Sequence, residues 1–158
     1  MSVRGCPIFT RRVSGCLADA VAQDYAQDYA QDYMSDYLLS RIAHVSVIVA
    51  DTGRALSFYR DLLGLAVDPD RPDLGYPGAW LRVGDQQVHL LELPNPDPRE
   101  GRPSHGGRDR HVAFNVRGLE ALRASLERVG VPYTVSRSGR PALFCRDPDG
   151  NAVELIEA

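Results

Sequence analysis

Four side chains of the kinds a divalent cation accepts recur at matched places along this chain. His44 opens the segment His44-Val45-Ser46-Val47-Ile48-Val49, and His111 opens His111-Val112-Ala113-Phe114-Asn115-Val116 at an offset of 67 residues. Val88-His89-Leu90-Leu91-Glu92 is echoed by Val153-Glu154-Leu155-Ile156-Glu157 at an offset of 65 residues. A fold that duplicates itself places equivalent residues in equivalent spots. His44, His89, His111 and Glu154 therefore fall into one frame, which takes up three of the chain's 4 histidines. Three imidazoles and one carboxylate suit zinc, nickel, cobalt, manganese or iron, and are too nitrogen-rich for magnesium or calcium. Such a set leaves coordination positions open for water or substrate oxygens. The ion then acts as a Lewis acid on a carbonyl or enediolate oxygen.

The elements that must position these groups are legible as two repeats of one order. Ile42 to Val49 is rich in β-branched residues and predicts a strand. Asp51 and Thr52 cap a predicted helix running to about Leu63, with Ala55, Phe58, Tyr59, Leu62 and Leu63 as its buried stripe and Gly64 at its end. Strands are expected near Leu65–Val67, at Ala79–Val83 and at Gln86–Leu93, the last two joined through Gly84-Asp85. The second half repeats this: strand His111–Val116, a helix with stripe Leu119, Leu122, Leu126 and Val129 closed by Gly130, then strands Pro132–Ser136, Ala142–Arg146 and Ala152–Glu157. Asp147-Pro148-Asp149-Gly150-Asn151 is a turn signal. Alternation along a strand puts Val45, Val47, Val49, Val112, Phe114 and Val116 under the helices and the histidines on the opposite, concave side. The same parity sends Glu92 and Glu157 away from the site, as structural or solvated charges. Loops Asp68–Pro77 and Pro94–Asp109 are long enough to shape a site or an interface. His105 is expected to be an ordinary loop residue.

Residues 1–38 read differently. The exact repeat Ala22-Gln23-Asp24-Tyr25, Ala26-Gln27-Asp28-Tyr29, Ala30-Gln31-Asp32-Tyr33 marks a low-complexity tail. Met34 follows it, and a start there would lose none of the motifs. The globular part is expected over residues 40–158, with modules at about 41–93 and 110–158.

Composition sets limits. A chain of 158 residues with 44% hydrophobic and 25% charged residues can build one real core. A net charge of −3 argues against a nucleic-acid surface, and no apolar run is long enough to span a membrane. All 18 basic residues are Arg, which excludes a Schiff-base lysine, a lysine base and a phosphate-loop lysine. The 3 cysteines, Cys6, Cys16 and Cys145, are odd in number and widely spaced, which fits a reducing compartment. Arg4, Arg11 and Arg12 hint at a targeting peptide, but no apolar secretory segment accompanies them, so a cytoplasmic protein is expected.

With these residues in hand, the chain resembles the vicinal oxygen chelate superfamily, the group of glyoxalase I, bleomycin-resistance proteins and dioxygenases. The resemblance rests on HVSVIVAD from His44, FYRDLLGL from Phe58, QVHLLE from Gln87, RHVAF from Arg110 and FCRDPDGNAVEL from Phe144. It covers Arg41 to Ala158 and none of the tail. It implies an α+β fold, two tandem βαβββ modules forming a half-barrel around a metal, with the first- and fourth-strand residues as ligands. Carried over, these are His44, His89, His111 and Glu154. At the position of His89 glyoxalase I usually has Glu and methylmalonyl-CoA epimerase has Gln. Glu154 is then the one carboxylate of the set, serving as ligand and base together.

The resemblance implies a metal-dependent lyase or isomerase acting on a small oxygen-chelating molecule, such as a thiol adduct of an α-ketoaldehyde. Arg110, Arg140 and Arg146 are candidates to hold a substrate carboxylate, and Phe144 and Trp80 to wall the site. A homodimer is expected on the same basis, with each site either within one chain or shared. The alternatives are a non-catalytic small-molecule binder or resistance protein, and an iron-dependent dioxygenase of the same superfamily. Fosfomycin-modifying relatives fit less well, because Ser138-Gly139-Arg140-Pro141-Ala142 stands where they carry a Ser-rich potassium loop.

Overall fold

Two sheets of the same topology organise the chain. The computed structural model describes residues 39–98 and 100–158, so the repeat tail lies outside the described residues. The first module runs β1 (His44–Val49), α1 (Thr52–Leu56), β2 (Ala66–Asp68), β3 (Gly78–Val83) and β4 (Gln86–Glu92). The second runs β5 (His111–Val116), α2 (Leu119–Arg128), β6 (Tyr133–Val135), β7 (Ala142–Arg146) and β8 (Ala152–Glu157). Their strand orders are β1-β4-β3-β2 and β5-β8-β7-β6. In each sheet the first strand pairs parallel with the fourth, and the remaining pairs are antiparallel. The two modules are thus the expected βαβββ repeat.

The alternation read from sequence decides which face is filled. Val47, Val49, Leu81, Val88 and Leu90 of the first sheet join Phe114, Leu143, Cys145, Val153 and Leu155 of the second in one buried apolar cluster. Ala55, Phe58, Tyr59 and Leu126 cover it from the helical side. Each fully buried Leu in that cluster contributes roughly 1.5–3 kcal/mol. The opposite faces carry His44, Ser46, Gln87, His89, Trp80 and Arg82 in the first sheet. In the second they carry His111, Ala113, Phe144 and Glu154.

The first helix departs from expectation. A single α-helix to about Leu63 is predicted, but α1 ends at Leu56 and Ser57–Leu62 forms a π-helical turn. The wider turn lets two consecutive rings face inward, and Phe58 and Tyr59 are 4% and 0% exposed. Leu63 N–H reaches back to Phe58 O at 2.9 Å, and Leu65 N–H to Tyr59 O at 3.0 Å. β2 starts one residue later than expected, at Ala66.

Glu92 and Glu157 have a definite structural task. Glu92 Oε2 accepts from the Thr52 N–H and the Thr52 hydroxyl, both at 2.8 Å. Glu157 accepts from Gly118 N–H at 2.9 Å and Leu119 N–H at 2.6 Å. In each module the end of the fourth strand caps that module's own helix, where unpaired amides and the helix dipole favour a negative charge. These backbone donors hold the Glu157 carboxyl below its usual range.

The Asp147–Asn151 turn is also more than a turn. Asp147 is 5% exposed and accepts from Asp149 N–H, Asn151 N–H, Asn151 Nδ2 and, at 3.1 Å, Tyr59 Oη–H. Burial, the largest influence on it, pushes the Asp147 carboxyl up despite these donors. Asn151 Nδ2 donates to Ile48 O at 3.0 Å, and Asp149 accepts from Ala50 N–H at 3.1 Å and pairs with Arg54. A turn of the second module thereby clasps β1 and α1 of the first.

Candidate metal centre

The structure arranges the four predicted ligands as two pairs, one on each sheet. On the second sheet His111 is registered with Ala152, and Glu154 with Ala113. The small partners leave space for the larger side chains beside them. His111 Nε2 lies 3.3 Å from Glu154 Oε2, and Glu154 is only 5% exposed. His111 Nδ1 is 2.8 Å from the Asp109 carbonyl oxygen. That carbonyl can only accept, so Nδ1 carries a proton and Nε2 is the ring nitrogen turned to the carboxylate oxygen. Between that nitrogen and an acceptor-only carboxylate oxygen belongs a proton or a cation.

On the first sheet Ser46 is registered with His89 and His44 with Gln87, the same diagonal relation as in the second. The rings of His44 and His89 stack at 4.1 Å with an interplanar angle of 10°. Trp80 stacks on the other face of His89 at 4.4 Å. Burial, then the charges of His44 and Arg71, keep the His89 imidazole below its usual pKa, so it is neutral at neutral pH. Among the described residues no three His, Cys, Asp or Glu side chains gather closely enough to hold an ion in one cluster. One member of each pair, His44 and His111, lines a cavity of about 480 Å³ with Val45, Gln87, Val112 and Asn115. The donor chemistry suits a borderline transition metal.

The other predicted residues divide. Phe144 is registered with Glu154, as Trp80 is with His89, so each fourth-strand ligand position has an aromatic neighbour. Phe144 meets His111 edge-on at 5.3 Å and His105 at 4.8 Å. Arg140 Nη2 lies 3.5 Å from Glu154 Oε1, so Glu154 sits between an imidazole and a guanidinium. Arg110 points elsewhere: its Nη2 pairs with Asp97 Oδ1 at 2.6 Å on the rim of a second cavity of about 350 Å³ that also reaches His111. Arg146 is taken up in structure. It binds Asp109 Oδ2 at 2.8 Å, Pro103 O at 2.6 Å and Gly150 O at 2.6 Å.

Those bonds belong to an ionic pin. Arg102 Nε joins Asp109 Oδ2 at 2.8 Å, and Arg102 followed by Arg146 draws the Asp109 carboxyl down to about 2. The pin holds the segment before β5 over the second sheet, which fixes the carbonyl that orients His111. His105, expected to be an ordinary loop residue, is placed by the same segment against Phe144, with Nδ1 2.7 Å from Thr134 Oγ1. Gly106 rests on the ring, where a Cβ would meet Phe144 Cβ at 3.0 Å and Ala152 Cβ at 3.4 Å. Sequence reading missed Asp109, and its only signal was its place next to Arg110-His111. Cys145 is buried and its thiol is pushed up to about 12, which makes it inert.

The Arabidopsis thaliana protein "Glyoxylase I 4" is 30% identical over 123 residues, covering 74% of this chain and 70% of that one. The mitochondrial methylmalonyl-CoA epimerase of Mus musculus is 30% identical over 132 residues, covering 76% of this chain and 74% of that one. A solved structure of a Bacillus anthracis protein described as of the glyoxalase family superposes with a TM-score of 0.63 at 25% identity, covering 78% of this chain and 98% of the other. The sequence profile of the Glyoxalase/Bleomycin resistance protein/Dioxygenase superfamily matches residues 41–155. A chain with this profile, this doubled sheet and these relatives belongs to that superfamily.

Proposed function

We propose that the protein is a metal-dependent lyase or isomerase acting on a small molecule with two neighbouring oxygens, for example a thiol adduct of an α-ketoaldehyde. The observation that carries this is His111 Nε2 3.3 Å from a buried Glu154 oxygen, with the other ring nitrogen held by a backbone carbonyl. His44, His89, His111 and Glu154 would hold the ion, which is zinc, nickel, cobalt, manganese or iron by donor type. When bound, it supplies Lewis acidity to the substrate's oxygen pair and so acidifies the adjacent C–H. Glu154 is the carboxylate placed to take that proton on a carboxylate oxygen and return it to the neighbouring carbon. Arg140 is a charge for a substrate carboxylate or thiolate, and Trp80 and Phe144 are apolar walls that keep water from the carbanion. By its resemblance to the superfamily, the protein acts as a homodimer.

A non-catalytic binder is favoured by a different observation. The His44–His89–Trp80 stack uses the imidazole faces as a flat platform, and among the described residues the four donors stand as two pairs. Metal analysis separates the readings. The lyase reading expects stoichiometric metal, lost in His111→Ala and in Glu154→Ala with the fold retained. Metal that is absent from the purified chain, or unchanged in both variants, would remove the assignment. An activity screen with methylglyoxal adducts of several thiols then reads the substrate.

A further inference from the structure

A chain of three polar side chains leads from the edge of the first sheet to His89. Arg82 Nη2 donates to Asp68 Oδ1 at 2.9 Å. Gln87 Nε2 donates to Asp68 Oδ2 at 2.7 Å. Gln87 Oε1 lies 2.9 Å from His89 Nε2. Strand register makes the chain possible: Asp68 is registered with Trp80, Arg82 with Gln87, and Trp80 with His89, so all five share one face.

The direction of each bond follows from chemistry. Asp68 is 7% exposed, and the Arg82 hydrogen bond, then that from the Asp70 backbone, holds its carboxyl at about 2. An ionised carboxylate has no proton to give, so the Gln87 amide must turn its NH2 to Asp68. Its carbonyl oxygen is then fixed toward His89. A carbonyl only accepts, so His89 Nε2 must carry the ring proton, which leaves Nδ1 as the one lone pair of the neutral imidazole. At His111 the Asp109 carbonyl imposes the reverse, a proton on Nδ1, so that Nε2 is the nitrogen turned to Glu154.

We infer that Gln87, locked by Asp68 and Arg82, is the positioning residue that sets the tautomer of His89, so that the two imidazoles offer opposite ring nitrogens: Nδ1 from His89 and Nε2 from His111. The tautomer assignment stands on these hydrogen bonds and on the negative charge that Arg82 holds on Asp68. Only its consequence for an ion rests on the metal reading. Partners of this type around a ligand histidine change metal affinity by about 10- to 100-fold.

The test is a long-range 1H–15N correlation spectrum of the histidine rings in metal-free full-length protein at about pH 8, where an imidazole is neutral. Assignment uses loss of the corresponding signals in His89→Gln and His111→Gln. The expected result is the Nε2–H form for His89 and a proton on Nδ1 of His111. In Gln87→Met, which keeps the length and removes the acceptor, His89 becomes a tautomer mixture while His111 is unchanged. Asp68→Asn has the same outcome, because an asparagine no longer dictates the amide's direction. An Nδ1–H ring at His89 in the wild type, or an unaltered His89 pattern in both variants, overturns the inference. Metal titration by calorimetry is the second readout: Gln87→Met weakens binding about 10- to 100-fold if His89 is a ligand. Failure to bind metal in the wild type sinks the metal reading and leaves the tautomer result to be judged by the spectrum.

Discussion

At His111 a backbone carbonyl decides what the ring can do, and at Glu154 two neighbours compete for one carboxylate. His111 Nε2 is 3.3 Å from one oxygen and Arg140 Nη2 3.5 Å from the other. An arginine so placed would repel a cation at Glu154 while it occupies that carboxylate. Its side chain is 61% exposed, so solvent weakens the effect. Exposed ion pairs contribute ~0.2–1 kcal/mol, so Arg140→Ala should tighten metal binding by about 1.5- to 5-fold in calorimetric titration, and by less in high salt. Weaker binding in that variant would show that Arg140 supports the ion site. The pairing of the four proposed donors, two on each sheet, follows from duplication and strand alternation, which together name both position and face. The contacts that tune them were not legible in the sequence. Asp109 acts through its backbone carbonyl, and Gln87 through an amide whose direction Asp68 dictates. Neither leaves a pattern in the order of residues.

Elements show the same division. Strand order and pairing follow from the repeated βαβββ pattern, and six of the eight strands lie at or within the expected spans, while β2 and β3 each run one residue beyond them. The π-helical turn at Ser57–Leu62 does not follow, because the same apolar spacing serves an α-helix until Tyr59 must reach Asp147. Glu92 and Glu157 were visible as an echo, yet parity gives a face and no partner; the helix start below each lies some 40 residues away in sequence. The segment before β5 is the least legible, since packing of Gly106 onto Phe144 and the Arg102–Asp109–Arg146 pin decide its course. Gly106→Ala forces a methyl against the ring, so the segment must lift. The expected result is faster amide exchange over residues 103–109 and weaker metal binding, with global stability changed by about 1–3 kcal/mol at most. Unaltered exchange there would show that the segment is not seated by this contact.

For the whole molecule, the clasp between modules and the charge pins set stability and its dependence on pH. Tyr59→Phe leaves a buried Asp147 oxygen without that donor and should cost about 1–3 kcal/mol in denaturant unfolding, as a single transition if the modules fold together. Two transitions in the variant would mean that the clasp, more than the shared core, couples the halves. Asp68 and Asp109 have folded-state values of about 2, below the roughly 3.9 of an unfolded Asp. Their contribution is present above about pH 4 and is lost as pH falls toward 2. Asp147, pushed up by burial, has the opposite sign and weakens the fold as pH rises through its folded value. Denaturation midpoints should therefore fall between about pH 5 and pH 2, and Asp109→Asn should flatten that fall. A midpoint that holds steady to pH 2 would contradict the pins. The central claim is that two histidine-bearing sheet faces serve one ion. The most direct measurement is the metal content of the purified full-length chain after reloading with zinc, nickel, cobalt, manganese or iron, beside His44→Ala and His111→Ala. The account predicts about one ion per chain, lost when either sheet's histidine is removed. Full occupancy that survives the loss of His44, or no binding of any of these ions, would contradict it.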